Sequence, residues 1–260
     1  MKSGLICADD FMLTKKISLG IISLIKKDKI NAVSVMVLFK KNKTYAQILK
    51  KKIKNYHTIG LHIVLTDFAP LSKFQNIKKF SSIFDLIFNL IKGKIKKIEI
   101  ENEIKNQILE FKKIFGYLPK YIDGHHHVHQ LPIISEILIK IINEIYVNNK
   151  PLVRNTNLKI PLIFQNKVEL LKSILLSFIG LYLKKKLIKN IIPTNDYFFG
   201  VYNFKNKNDF KKNFILFKKY RSKNSIIMTH PSLPDKEIYK LDTLTSQRFV
   251  EYNLLMSNII

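Results

Sequence analysis

Four of the chain's seven histidines fall within five positions, at His125, His126, His127 and His129, in the stretch YIDGHHHVHQLP that runs from Tyr121 to Pro132. Imidazoles are the commonest neutral metal ligands, and a carboxylate such as Asp123 can fix which ring nitrogen carries the proton. On an extended backbone Asp123, His125, His127 and His129 share one face and His126 takes the other. Side chains two apart on a strand stand roughly 6.5–7 Å from each other, so one or two of these rings reach a single ion and the rest of its ligands come from elsewhere. The alternative is a His-rich surface tract.

Three other places offer matching chemistry. Asp9 and Asp10 close the apolar run Leu5–Ala8. At a frayed strand end both carboxylates can face one pocket, one to bind a cation and the other to take a proton from water. Acids decorating a helix N-terminus are the competing reading. His62 lies inside the apolar IGLHIVLT. With Asp10 and His125 it completes one carboxylate and two imidazoles, a set suited to a divalent ion with open positions; a satisfied core histidine is the plainer account. His230, in MTHPS, follows a buried run and precedes Pro231, where a second proton carrier could stand across the site from the aspartates, or where a loop histidine would sit.

The elements that must position these residues alternate. Strands are expected at Leu5–Ala8, Ala32–Phe39, Ile59–Thr66, Tyr121–Asp123, Leu152–Arg154 and Ile226–His230. Helices are expected at Lys15–Lys27 (capped by Thr14), Thr44–Lys54, Ser81–Ile91, Ile98–Phe115, Ile133–Ile145, Val168–Lys186, Asp209–Tyr220 and Leu244–Met256. Pro193–Gly200 reads as a loop. No linker or internal repeat interrupts the order, so residues 1–260 read as a single parallel α/β domain. Asp9, Asp10, His62, Asp123, His125, Arg154 and His230 all fall at or near strand C-termini. Drawing on five or six strands, they favour a closed or nearly closed (β/α) barrel, a distorted TIM-like one, over a doubly wound sheet with one switch point.

Lys+Arg number 45 against 19 Asp+Glu, a net charge of +26. Such a field favours nucleic acid, anionic lipid or acidic glycans. Yet only Arg154, Arg221 and Arg248 are arginine, and Lys, Ile, Asn and Phe are the residues of A/T-rich codons, so coding bias accounts for the lysines more simply; no nucleic-acid-binding motif accompanies them. Cys7, the only cysteine, excludes an internal disulfide framework and a Cys-based zinc site. MKSGLICADD meets two aspartates before a signal-peptide core could form, and the longest apolar run, Val168–Leu183, is interrupted by Glu169 and Lys172 and is too short to span a bilayer. The expectation is a cytoplasmic protein without a transmembrane segment, with peripheral membrane contact left open. Val168–Lys186 is apolar nearly all round; internal packing leads over a homodimer surface or a seat for a lipid-linked sugar.

The residues also carry a resemblance. CADDFMLT, IGLHIVLTDFAPLS and YIDGHHHVHQLP are similar to the YdjC-like carbohydrate deacetylase patterns ADDFGLS, GLHLxLTxGxPLS and HxDxHxHVHxxP. LVR, PTNDYFFG, MTHPS and LDTLTS match later segments in the same order, so the likeness runs from about residue 5 to residue 250. What it implies is a distorted (β/α) barrel that hydrolyses the N-acetyl group of an amino sugar with one divalent ion, magnesium or zinc. The implied ligands are Asp10, His62 and His125, with Asp9 as general base and His230 as acid for the departing amine. Arg154 would position or polarise Asp9 or the substrate, and Asp123, His127 and His129 would support the ligands or touch the sugar. Two departures stand out. Met12 replaces the family glycine, which costs roughly 1–2 kcal/mol if the position needs positive φ and otherwise narrows the mouth. Asp67, Phe68 and Ala69 replace a polar, glycine-containing turn. The rival readings are a lapsed glycan-binding member, a hydrolase of another amide or ester, and a basic nucleic-acid-binding protein.

Overall fold

The computed structural model describes residues 4–159, 170–204, 209–241 and 244–257. Among these residues seven strands form one sheet: β1 (Leu5–Phe11), β2 (Ala32–Val35), β3 (Thr58–Ile63), β4 (Tyr121–Gly124), β5 (Leu152–Val153), β6 (Tyr197–Phe199) and β7 (Ser225–Thr229). Their order is β5-β4-β3-β2-β1-β7-β6, and every pairing is parallel. Two isolated parallel bridges, Val153 to Thr194 and Leu158 to Phe198, link the edge strands and curl the sheet into a distorted (β/α) barrel.

Helices cover the outer face: α1 (Lys15–Lys26), α2 (Lys43–Lys50), α3 (Ile83–Ile91), α4 (Lys97–Phe115), α5 (Pro132–Ile145), α6 (Leu170–Lys189), α7 (Asp209–Tyr220) and α8 (Thr245–Met256). Local chemistry sets their ends. The Thr14 hydroxyl accepts from the Ile17 N–H, Ser82 and Asp85 form a capping box at α3, and Gly116 at φ +87° stops α4. Pro132 starts α5, where a missing N–H costs nothing.

Alternation along the strands sorts the side chains. One set, including Ala8, Val33, Val35, Leu61 and Ile122, packs beneath the helices in the main core. The other points into the barrel, where Leu5, Cys7, Ala32, Tyr121, Phe198, Ile226 and Met228 form an apolar plug. Above the plug, toward the strand C-termini, the same inward positions turn polar: Asp9, Ser34, His62 and Asp123 are all buried.

Four expectations change. The second strand ends at Val35 rather than Phe39, and the stretch read as a loop holds β6 at Tyr197–Phe199. For Val168–Lys186, the first two residues lie outside the described ones, and α6 runs on to Lys189. The fourth concerns Asp9 and Asp10, which lie inside β1 rather than at a frayed end.

Candidate functional site

A cavity of about 440 Å³ opens at the carboxyl ends of the strands, and Asp9, Asp10, His62, His125, His127 and His230 all line it. Adjacent strand residues normally point to opposite faces. Asp9 and Asp10 share this cavity because β1 carries a bulge: Ala8 pairs with Val33 and Phe11 with Val35, three steps against two. Asp10 absorbs the extra residue at φ +66°. Met12 follows at φ +76°, so the family glycine position is indeed left-handed, at a cost of about 1–2 kcal/mol for this side chain. The side chain is wholly buried in the main core and does not narrow the mouth.

Asp10 Oδ1 lies 3.4 Å from His62 Nε2 and 3.5 Å from His125 Nδ1. It accepts no hydrogen bond among the described residues, although it is buried. One ligand atom from each of Asp10, His62 and His125 fits within a 4.8 Å span. A buried carboxylate oxygen without a donor, facing two imidazole nitrogens at these separations, suits a divalent cation.

Each member of this group is held from behind. His62 Nδ1 lies 2.6 Å from Asp123 Oδ1, which also accepts from the Ser34 hydroxyl. When Nδ1–H donates to Asp123, the lone pair of the neutral ring is on Nε2, toward Asp10. Asp123 Oδ2 accepts from the Tyr121 hydroxyl at 3.0 Å and faces Arg154 Nη2 at 2.8 Å. Arg154 grips Asp9 with both arms of its fork, Nη1 to Oδ2 at 2.6 Å and Nη2 to Oδ1 at 2.7 Å. His125 lies between Asp10 and Asp67, with Nε2 3.4 Å from Asp67 Oδ2.

These partners set the protonation states. Burial opposes charge on His62, but the neighbouring Asp123 and Asp10 carboxylates outweigh it and lift the ring to about 10. Burial likewise opposes ionisation of Asp10 and Asp123. Arg248 and the two rings hold Asp10 well below the usual carboxylate range, and Arg154 with His62 does the same for Asp123. A site that concentrates negative potential in this way favours a cation as it favours a proton, and a bound metal displaces that proton.

The His run departs from the extended backbone expected of it. It forms a short 3-10 segment, His125–Gln130, with His126 at φ +50° and His127 at φ +57°. The turn brings His125, His126 and His127 all to the cavity wall, so His126 does not take the opposite face. His126 Nδ1 sits 3.3 Å from Asp67 Oδ2 and 3.1 Å from the Thr66 hydroxyl. His127 stands edge-on to Phe198, and burial together with Arg154 pushes its pKa well down. His129 turns behind the cavity, wholly buried, with Nε2 2.8 Å from the Arg154 carbonyl oxygen; burial lowers it to about 4. Arg154 and Asp123 likewise lie beneath the cavity rather than in its wall.

Two residues of the last helix went unnoticed in the sequence. Arg248, buried, places Nη2 2.5 Å from Asp10 Oδ2. Glu251 accepts the His230 N–H on Oε2 at 2.6 Å and the Tyr202 hydroxyl on Oε1, and burial raises it to about 7 against those bonds. The available signal was compositional: in a chain this rich in lysine each arginine is conspicuous, and Arg248 and Glu251 lie one helical turn apart.

The fold and the site together define a (β/α) barrel with one carboxylate and two imidazoles converging at the strand C-termini. A family model described as "YdjC-like protein" matches residues 5–260, and the chain belongs to that family. It is similar to a carbohydrate deacetylase of Danio rerio, 32% identical over 99 residues; the match spans 34% of this chain and 31% of that protein. Among solved structures, one from Enterococcus faecalis V583 described as a cellobiose-phosphate cleavage protein has a TM-score of 0.69 at 17% identity. It covers 99% of this chain and 91% of its own, a likeness of fold.

Proposed function

We propose that the protein is a metal-dependent carbohydrate deacetylase that hydrolyses the N-acetyl group of an amino sugar. The observation that carries this is the convergence of Asp10 Oδ1, His62 Nε2 and His125 Nδ1 in a cavity that Asp9 and His230 also line. Membership of the YdjC-like family and the partial likeness to a carbohydrate deacetylase support the same reading.

In this reading Asp10, His62 and His125 hold one divalent ion, magnesium or zinc. When bound, such an ion polarises an amide carbonyl and acidifies water. Asp9 is the general base: Arg154 aims its carboxylate, leaving it to take a proton from the attacking water. His230, whose backbone Glu251 anchors, gives a proton to the nitrogen as the C–N bond breaks, so the amine does not depart as an anion. Asp123 and Arg248 are positioning residues, one for His62 and the other for Asp10.

Acetate release from a panel of N-acetylated oligosaccharides, with and without a chelator, tests the reaction. Chelation is expected to abolish release. Asp9→Asn should keep the ion yet lose about 100-fold or more in turnover, whereas His125→Ala should lose the ion itself. Near-normal release by Asp9→Asn would remove Asp9 from the mechanism.

A further inference from the structure

Two helices border the mouth of the cavity, and both turn large apolar side chains outward. At one side α3 begins with Ile83 and Phe84 in the cavity wall. From Phe84, 80% exposed, an apolar stripe runs at helical spacing through Phe88 to Ile91, 75% exposed. Across the mouth, α6 contributes Lys172 and Leu176 to the wall. Over its first three turns its packing is inverted: the side pressed against the barrel carries Ser173, Ser177 and Gly180, with Leu183 and Leu187 buried only further along, and Gly180 lies so close to the Thr156–Asn157 backbone that no Cβ would fit. The side facing water carries Leu171 at 84% exposure and Phe178 at 73%, with Leu175 between them. Helices of globular proteins bury their large apolar side chains, and exposed patches spanning two elements mark interaction surfaces.

Charge identifies what covers this face. The twenty residues of α6 include no acid and five lysines, Lys172, Lys184, Lys185, Lys186 and Lys189, of which Lys184 and Lys186 pair with Asp196 and Glu136 on neighbouring elements. Beyond α3, the Lys92 ammonium lies 4.4 Å over the Phe88 ring, and the one acid of α3, Asp85, is engaged in the capping box. A second copy of this chain, also at +26, would bring lysine against lysine and close the cavity. An anionic bilayer offers hydrocarbon to the apolar side chains and opposite charge to the lysines. Among the described residues no helix is long and apolar enough to cross a membrane, so α3 and α6 would lie in its plane.

We propose that this face rests on an anionic bilayer, with the cavity mouth presented to an N-acetylated amino sugar carried on a lipid. The wall above the catalytic floor is apolar enough for the first carbons of such an anchor, through Ile83, Phe84, Leu176, Phe204 and Leu244. The docking stands on the surface alone; the choice of substrate rests on the deacetylase reading.

Co-sedimentation of the full chain with phosphatidylcholine vesicles, with and without phosphatidylglycerol, is the test. Binding is expected only to the anionic vesicles, weakening as salt rises. The double variant Phe88→Ser with Phe178→Ser, neither in the cavity wall, should bind about tenfold or more weakly. That variant should release acetate from a soluble oligosaccharide at the wild-type rate and from the same sugar on a vesicle-bound lipid more slowly. No binding to anionic vesicles, equal binding by the variant, or a wild-type dimer that the variant abolishes would overturn the docking. Vesicle binding without acetate release from any sugar would instead overturn the deacetylase reading.

Discussion

At the floor of the cavity the polar side chains are buried and held by one another, Asp123 alone by Ser34, His62, Tyr121 and Arg154; at its mouth the side chains are apolar, exposed and scarcely held. Asp9, Asp10 and Asp123 are matched by Arg154 and Arg248, with His62 between them. Phe84, Phe88 and Phe178 touch mostly water. A buried charge stripped of its partner costs far more than a change on an exposed surface. Precision at the floor therefore comes from groups that cannot be altered singly, whereas the mouth can vary without endangering the fold.

The largest effect is expected from breaking the floor. Arg248→Met leaves Asp10 buried without its cation and should lose about 3–5 kcal/mol of stability. Arg248→Lys restores the charge but not the planar fork. It should recover much of the Tm while still weakening the affinity of the site for a divalent ion about 10–100-fold by calorimetry. Ion affinity at the wild-type level in Arg248→Lys would reduce Arg248 to a packing residue.

A smaller effect sharpens the contrast through pH. Burial raises Glu251 from 4.5 to about 7, with the Tyr202 hydroxyl, the His230 N–H and Arg248 working the other way and the Asp9 charge adding to the rise. A raised carboxyl stabilises the fold while protonated: the contribution is whole below about 4.5, shrinks as pH climbs, and is gone above about 7. Its size is about 3 kcal/mol. Glutamine stays neutral, so the Tm of Glu251→Gln relative to wild type should rise across that window and be level on either side of it. A difference that ignores pH would show that Glu251 does not titrate there.

The smallest effect belongs to the mouth. Phe84→Ser should leave stability within about 0.5 kcal/mol, and for a soluble oligosaccharide it should alter KM and leave kcat alone. A fall in kcat would mean that the rim reaches the reacting atoms.

Much of the floor is legible in the order of the residues. Inward and outward positions alternate as the strand period requires, and Asp9, His62 and Asp123 are polar groups near apolar strand ends, so their facing the inside of a parallel barrel follows from chain order. The His run misleads because extended geometry does not continue past Gly124. His126 and His127 take positive φ, which their sequence does not demand, and the alternation ends there. The bulge that turns Asp10 toward Asp9 is equally hidden, since one extra residue in β1 is visible only against the register of β2.

The amino-acid sequence by itself determined the order of strands and helices and the types of side chain at the strand ends, because both are local: periodicity, caps and breakers act over a few residues. Only the tertiary structure decided that Arg248 meets Asp10 across 238 positions, and that the first three turns of α6 lay small residues on the barrel and leave Leu171, Leu175 and Phe178 to water. Those outcomes depend on which surfaces come within reach after the chain has closed, and a helix apolar nearly all round holds little local signal of which side that will be.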